Sequence, residues 1–325
     1  MRPLDVLRSW AVQDSPPGAA IAAIVARVPE TPVGWLDKAP VVALYNPRTA
    51  TAVVPADEVA AFGTAFLPPD DQALKAIVDT ALPTYDEGFA EPVQLAVDAI
   101  SDALDGLQLS RDDLHEQLRQ RLPGELLPWC EGCQSHHARR GLLVMATLNG
   151  RLCISGRAGR QPAFSRTDQL HGWDAPERTA AGAELVRRYR ATYGPSSVSH
   201  FATWAGLGNA HARELWALDD AAPAPAPLDG VRLLAPGDPV LLGRDREALL
   251  PDPAARKKVW AALGAMGIVL ADGKPVALWR GRKKGKKLEV SVEALTKRLP
   301  KREIETRLER LAPHRGCTSV AVSFP

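Results

Sequence analysis

The feature that most constrains the fold is an order of elements that recurs along the chain: a helix, a turn, a second helix, then a stretch that reads as a hairpin. The middle copy is the clearest. PVQLAVDAISDAL, residues 92–104, carries apolar side chains at helical spacing. SRDDLHEQLRQRL follows, with Ser110 as N-cap and Asp113 in a capping-box position. QSHHARRGLLVMATL, residues 134–148, then reads as a third helix, and Asn149-Gly150 signals a turn before RLCISGRAGRQPAFSRTD.

A later copy begins with AGAELVRRYRATYG, stopped at Gly194-Pro195. SSVSHFATWAGL follows with Ser196 or Ser197 as cap, then NAHARELWAL, then extended chain in VRLLAPGDPVLLG. Phe201, Trp204, Leu207, Leu215 and Trp216 fall at core spacing within it. The first copy is short at its front: RPLDVLRSWAV and SPPGAAIAAIVARV are its helices, and VVALYNPRTATAVV is a hairpin turning at Asn46-Pro47. Helix, helix, helix, hairpin is the winged-helix order, in which the third helix enters the DNA major groove and the wing lies along the backbone.

Beyond residue 230 the pattern changes to strands. GIVLADGKPVALWRGRKKGKKLEVSVEAL alternates as three strands around an Asp272-Gly273 turn and a basic loop at 281–285, between the helices RKKVWAALGAMG and TKRLPKREIETRLERLA, with CTSVAVSF as a closing strand. The expected class is therefore α+β: three tandem winged helix-turn-helix units and a C-terminal, β-barrel-like element. The expected boundaries are 1–88, 89–172, 173–236 and 237–325, with the Ala-Pro-rich DDAAPAPAPLDG, residues 219–230, as a semi-rigid linker or long wing loop.

The chain has 325 residues, 46% of them hydrophobic, enough to build more than one module. It shows neither a basic leader with an apolar stretch nor a run near the ~18 apolar residues of a membrane helix, so a cytoplasmic, nucleoid-associated monomer is expected, with no membrane partner. The net charge of +2 hides an asymmetry: residues 51–120 hold fourteen acidic and three basic side chains, whereas RGRKKGKK, residues 280–287, holds six basic residues in eight. A run of that kind is either a solvated hairpin tip or a contact for a polyanion.

Three groups of residues carry candidate chemistry. In WAVQDSPPGAA, Asp14 or Ser15 before two prolines is explained as a helix cap, but Gln13 caps poorly and sits among core-facing positions. In WCEGCQSHH, Cys130, Cys133 and His136 or His137 have a spacing that suits Zn²⁺, with Cys153 as a conceivable fourth ligand. A second C-x-x-C or an H-x-x-x-H pair is absent, so no metal and no cofactor is assigned; alternatively, His136, His137, Arg139 and Arg140 lie on the exposed part of a recognition helix. Arg48 on the first hairpin, Arg157, Arg160 and Arg166 on the middle wing, and Arg280, Arg282, Lys283, Lys284, Lys286 and Lys287 on the basic loop are the expected phosphate contacts. No phosphate-binding glycine loop, nucleophile elbow or H-E-x-x-H is present, which leaves nucleotide hydrolysis, dinucleotide redox chemistry and triad hydrolysis without support.

With these units and motifs in view, the chain resembles the AlkZ-like family of bacterial winged-helix DNA glycosylases, relatives of YcaQ-like enzymes. The resemblance is most specific over VRLLAPGDPVLLG and onward through LEVSVEAL, and at YRATYGPSSVSHFATWAGL; PRTATAVVPADEV is similar to a degenerate N-terminal hairpin segment. It implies three winged helices in a C-shape around a DNA-sized channel, scaffolded by a C-terminal β-barrel, and an enzyme acting on double-stranded DNA. The implied reaction is hydrolysis of the N-glycosidic bond of bulky N7-alkylated purines, including the unhooking of interstrand crosslinks. The family's catalytic pair is Gln-x-Gln or Gln-x-Asp, which puts Gln13 at the second position and Ala11 at the first; shifted, Gln13 comes first and Ser15 second. Gln13 orienting water, with Asp14 assisting, is the expected catalytic set. A non-catalytic DNA-binding protein, a regulator or a lesion shield, stays open beside it.

Overall fold

The computed structural model describes residues 1–221, 228–243 and 245–325. The chain mixes helices and strands and divides into two compact units, a middle unit of Pro40–Tyr189 with Ser197–Ala222 and a terminal unit of Met1–Ala39, Arg190–Ser196 and Pro223–Pro325. No described helix is long and apolar enough to cross a membrane. The alanine-proline stretch expected as a linker lies, at 222–227, outside the described residues.

In the middle unit, β1 (Val41–Tyr45) and β2 (Thr51–Pro55) form the antiparallel hairpin expected at Asn46. The Asn46 side chain closes its turn by accepting from Ala50 N at 3.1 Å. Next come β3 (Leu109–Ser110), the short hairpin β4 (Trp129–Cys130) and β5 (Ser135–His136), and the wing hairpin β6 (Cys153–Ala158) and β7 (Gln161–Ser165). One sheet joins them in the order β2-β1-β6-β7-β3, with β4-β5 separate. Between helix Ala90–Ala103 and helix Arg111–Arg119, β3 pairs antiparallel with β7, so the middle copy runs helix, strand, helix, helix, hairpin. Ser110 caps as expected, accepting from Asp113 N at 3.2 Å.

The third helix of this copy departs from expectation. It is Arg140–Leu148, six residues shorter than the stretch from Gln134, and every residue from Gly141 to Leu148 is buried. GLLVMATL is apolar around its whole circumference, so this helix is a core rod with no face left for a DNA groove. Gly141 makes its crossing possible, since a Cβ there would stand 2.7 Å from the Ile77 carbonyl oxygen of helix Asp71–Val78. The latter helix and Val59–Phe66, both within the acidic stretch, belong to the same core.

Helices Arg178–Tyr193, Val198–Ala205 and Asn209–Trp216 form the later copy. Ser197 caps the second, and Gly206 ends it in the left-handed region. The expected aromatic core is present: Tyr189 meets Phe201 at 5.1 Å and Trp204 at 5.0 Å, and Phe201 meets Trp216 at 5.6 Å.

The terminal unit is built on β8 (Val231–Leu234), β9 (Gly267–Ala271), β10 (Lys274–Lys284), β11 (Lys287–Ala294) and β12 (Ser319–Ser323). Only Val231–Leu234 of VRLLAPGDPVLLG is a strand, and Asp238 caps a short helix at Pro239–Leu242. The strand order is β12-β11-β10-β9-β8, so the sheet is open among the described residues and the expected barrel does not close. The reason lies in its two faces. Val231, Leu233, Val269, Ala277, Trp279 and Val290 pack with Ile304 and Leu308 of helix Lys301–Leu311 and Ala22 and Val25 of helix Ala19–Arg27. The alternate residues Leu234, Ile268, Leu270 and Leu278 pack with Ala255 and Val259 of helix Pro253–Val259. A sheet covered by helices on both sides has no apolar face left to bury by closure.

Candidate active site

The catalytic candidates stand in the turn before helix Ala19–Arg27. Trp10 is held at φ 57, a left-handed conformation that costs a non-glycine residue on the order of 1–3 kcal/mol. Burial of its indole offsets that strain, and Leu7, Ala11 and Val12 beside it are also buried. Gln13 follows at 5% exposure, and its amide has no hydrogen-bond partner among the described residues. The residue is nearly buried while its amide atoms keep an opening to solvent, so the amide is free to meet a ligand or a water. Asp14 behaves as a cap: its Oδ1 accepts from Gly18 N at 2.8 Å and Ala20 N at 3.1 Å. This fixes Gln13 at the mouth of a helix N-terminus.

The turn is pinned from behind. Gly237, at φ 87, lies so close that a Cβ on it would come within 2.7 Å of the Ser15 carbonyl oxygen. The next residue, Asp238, is fully buried and receives a two-pronged bond from Arg27, Nη1 to Oδ2 at 2.8 Å and Nη2 to Oδ1 at 2.9 Å. Gly237 and Asp238 thus hold both ends of the stretch from Ser15 to Arg27 that directly follows Gln13.

Beside the turn, Pro16, Ala19, Trp279, Arg280, Leu311 and Arg315 line a pocket of about 100 Å³. Arg315 is a residue that sequence reasoning missed. Burial pulls its pKa down, the Asp14 carboxylate pulls it up, and its Nε has no partner among the described residues. Two guanidinium groups so near the turn make an anion-receiving edge.

The expected DNA contacts separate into three groups. Arg280, Arg282, Lys283, Lys284, Lys286 and Lys287 are exposed, but as the paired end of β10 and β11 closed by a turn at Gly285 and Lys286; the expected loop is a hairpin. Arg157 and Arg160 are exposed at the β6–β7 tip, where Arg157 Nη2 donates to the Arg160 carbonyl at 2.6 Å. Arg140 is exposed at the start of the core helix. Two others are already engaged: Arg166 is bound by Asp168 and Asp105, and Arg48 donates to the Trp204 carbonyl at 3.2 Å. The last group, His136, His137 and Arg139, lies before the helix and not on it: the C-x-x-C turn folds His136 into the β4–β5 hairpin, His137 follows it, and Arg139 is the N-cap of the shortened helix. Arg139 donates to the Trp129 carbonyl at 2.7 Å.

That hairpin also corrects the weak metal set. His136 turns its Nδ1 to the Leu127 carbonyl oxygen at 2.8 Å, while His137 is the histidine that stands with Cys130 and Cys133. Cys153 is buried in β6 and outside the cluster.

The profile of the family described as DNA glycosylase AlkZ-like matches residues 6–314. An interstrand DNA cross-link repair glycosylase of Streptomyces sahachiroi is 25% identical over 254 residues, which span 69% of this chain and 66% of the relative, just under two thirds of its length. The solved Streptomyces sahachiroi DNA glycosylase AlkZ shares the fold, with a TM-score of 0.72 at 20% identity over 100% of this chain and 94% of that one. Since the family profile runs through nearly the whole length, including the Gln13 turn and strands β8 to β11, the chain belongs to the AlkZ-like DNA glycosylase family.

Proposed function

We propose that the protein is a DNA-repair glycosylase that hydrolyses the N-glycosidic bond of bulky N7-alkylated purines in double-stranded DNA, crosslinked purines included. The observation that carries this reading is the Gln13 amide, unpaired among the described residues at 5% exposure in a turn held by Asp14, Gly237 and the Arg27–Asp238 pair. An N7-alkylated purine is cationic and leaves readily. The C1′–N9 bond breaks with its electron pair going to the base, and the sugar becomes oxocarbenium-like. Water then bonds to C1′ and gives up a proton. A carbonyl oxygen that fixes the water supplies orientation, and nearby negative charge stabilises the sugar cation. Gln13 takes the first task. Asp14, with Oδ1 committed to the helix N-terminus, positions the turn and contributes the charge.

Ala11 is buried and offers no polar group, so Gln13 works without a partner two residues before it. Arg280 and Arg315, the β10–β11 hairpin and the wing tip at Arg157 and Arg160 hold phosphates in this reading. The middle copy, residues 89–172, carries the winged-helix assignment best, because β3 closes onto β7 in the order that fold requires. A monomer acting on alkylated duplex DNA completes it.

Base release from duplexes carrying N7-methylguanine or a bulkier N7 adduct tests the proposal. Wild type is expected to release the base, and Gln13→Ala to abolish release while leaving duplex affinity within about twofold. Equal release by the two proteins removes Gln13 from the chemistry. A strong preference for one undamaged sequence, with each wrong base pair costing about 1–3 kcal/mol, would point to a regulator instead.

A further inference from the structure

Residues 128–137 form a knuckle that the glycosylase reading does not use. Its strands β4 and β5 are two residues each, joined by a turn in which Cys133 N donates to the Cys130 carbonyl at 3.2 Å and Gln134 sits at φ 50. Trp129 and residues 131–134 are exposed, so no apolar core holds it together. Hairpins this short do not sustain themselves in water. Hydrogen bonds from Arg119 to the His136 carbonyl at 3.1 Å and from Arg139 to the Trp129 carbonyl at 2.7 Å hold its strands, and the exposed cysteine turn beyond them calls for a further tie.

At the knuckle the thiols of Cys130 and Cys133 and a ring nitrogen of His137 lie within 4.8 Å of one another. His137 Nδ1 bonds the Ala138 carbonyl at 2.8 Å, which makes it the N–H and leaves the Nε2 lone pair, unpartnered among the described residues, as the free donor. Metal-bound histidines are oriented in this way, with one nitrogen on a carbonyl and the other on the ion. His115, from helix Arg111–Arg119, is buried with its ring centroid 4.7 Å from that of His137 and its Nδ1 without a partner among the described residues. All four side chains line one cavity of about 700 Å³.

We propose that Cys130, Cys133, His137 and His115 form a structural Zn²⁺ site that fastens the knuckle to helix Arg111–Arg119. Two thiolates and two neutral imidazoles are the donor set that selects zinc, and the two thiolates neutralise the ion. Each cysteine gives up its thiol proton on binding, so two protons leave per zinc bound. Bonds of about 2.0–2.3 Å place tetrahedral ligand atoms roughly 3.3–3.8 Å apart, so the cysteine and His137 atoms have only to close by about 1 Å. Helix Arg111–Arg119 reaches the β6–β7 wing through Asp112 N, which donates to Gln161 Oε1 at 3.2 Å beside the wing tip; the metal therefore bears on where that tip sits.

Elemental analysis of the full chain, purified under reducing conditions from zinc-supplied medium, tests the site. About one zinc per chain is expected in wild type and in His136→Ala, and less than a tenth in Cys130→Ser and Cys133→Ser. His137→Ala and His115→Ala should each weaken zinc retention at least tenfold in a chelator competition. Because a variant that fails to fold would also lose metal, wild type stripped of zinc is titrated with Co²⁺, where tetrahedral ligand-field bands and thiolate-to-cobalt charge transfer are expected. Folded, reduced wild type that retains no zinc and develops no cobalt bands overturns the site. Unchanged retention in His115→Ala overturns the four-ligand set, as does loss of zinc from a folded His136→Ala.

Discussion

Replacing Arg27 with methionine tests whether the clamp behind the Gln13 turn is as strong as its geometry requires. Asp238 is fully buried, and its carboxylate has two guanidinium bonds, at 2.8 and 2.9 Å, plus the Val240 N–H at 3.0 Å. At 2.8 Å and an effective dielectric near 20, the pair attracts by about 6 kcal/mol before desolvation is set against it. Methionine keeps much of the stem's volume but leaves the carboxylate with a backbone donor alone, and breaking a buried pair from one side costs about 3–5 kcal/mol. In a unit of this size each kcal/mol moves the midpoint by about 2–4 °C, so Tm should fall by roughly 10 °C. Urea denaturation of wild type, Arg27→Met, Asp238→Asn and the double variant gives the coupling directly. The double variant should recover more than half of the loss, since it buries no unpaired charge. Base release by Arg27→Met should drop further than the unfolded fraction explains, because helix Ala19–Arg27 sets the position of Gln13. A loss under 1 kcal/mol, or a double variant no more stable than Arg27→Met, refutes the clamp.

Three other outcomes follow from the structure. His211 is buried with neither ring nitrogen partnered among the described residues, and burial, helped by the Arg178 charge, lowers its pKa from 6.5 to about 4. The unfolded chain takes up that proton near 6.5 and the folded one only near 4, so stability is complete above 6.5 and is lost as pH falls through that window, by about 3 kcal/mol at ~1.4 kcal/mol per pH unit. The slope of the urea midpoint against pH should flatten in His211→Leu, and an unchanged slope contradicts the assignment. Gly237→Ala places a Cβ 2.7 Å from the Ser15 carbonyl at a φ of 87 and should lose about 1–3 kcal/mol together with base release; a fully active, equally stable variant shows the contact to be irrelevant. Arg157→Ala combined with Arg160→Ala should weaken binding equally on any duplex sequence and reduce the slope of log K against log salt by about 2, whereas an unaltered slope takes the wing tip off the phosphates.

Local chemistry was the legible part of the sequence. Ser110 and Ser197 cap helices because a hydroxyl before an amphipathic run has one obvious partner, and Asp272-Gly273 turns β9 into β10 with both residues at positive φ, 47 and 76. The helix ending at Leu148 was legible in kind but not in extent. Nothing in SHHARR forbids helix, and it is the turn from Cys130 to Cys133 that claims residues up to His136 for a strand. The acidic stretch read as charge concealed two helices whose apolar sides supply the middle core. Partners distant in sequence were invisible: Arg166 meets Asp105 across 61 residues and so stops being a free cation. The barrel failed for the same reason, since apolar runs in β8 to β10 say that both faces are covered, and not by what. Arg315 carried no signal at all, since its place in the pocket depends on the sheet and on the Pro16 turn together.

The paired end of β10 and β11 changes how its charge meets a polyanion. In a flexible lysine loop each residue surrenders roughly 1–2 kcal/mol of backbone freedom when a ligand arrests it. Here the ladder from Arg280↔Ser291 to Lys284↔Lys287 is closed before any ligand arrives, and that entropy has already been given up in folding. The charges are also ruled like marks on a scale. Arg280, Arg282 and Lys284 share one side of the strand about 6.8 Å apart. Under the proposed function such a rigid comb meets a phosphate backbone without regard to the bases, the grip suited to an enzyme that reads lesions in any sequence context.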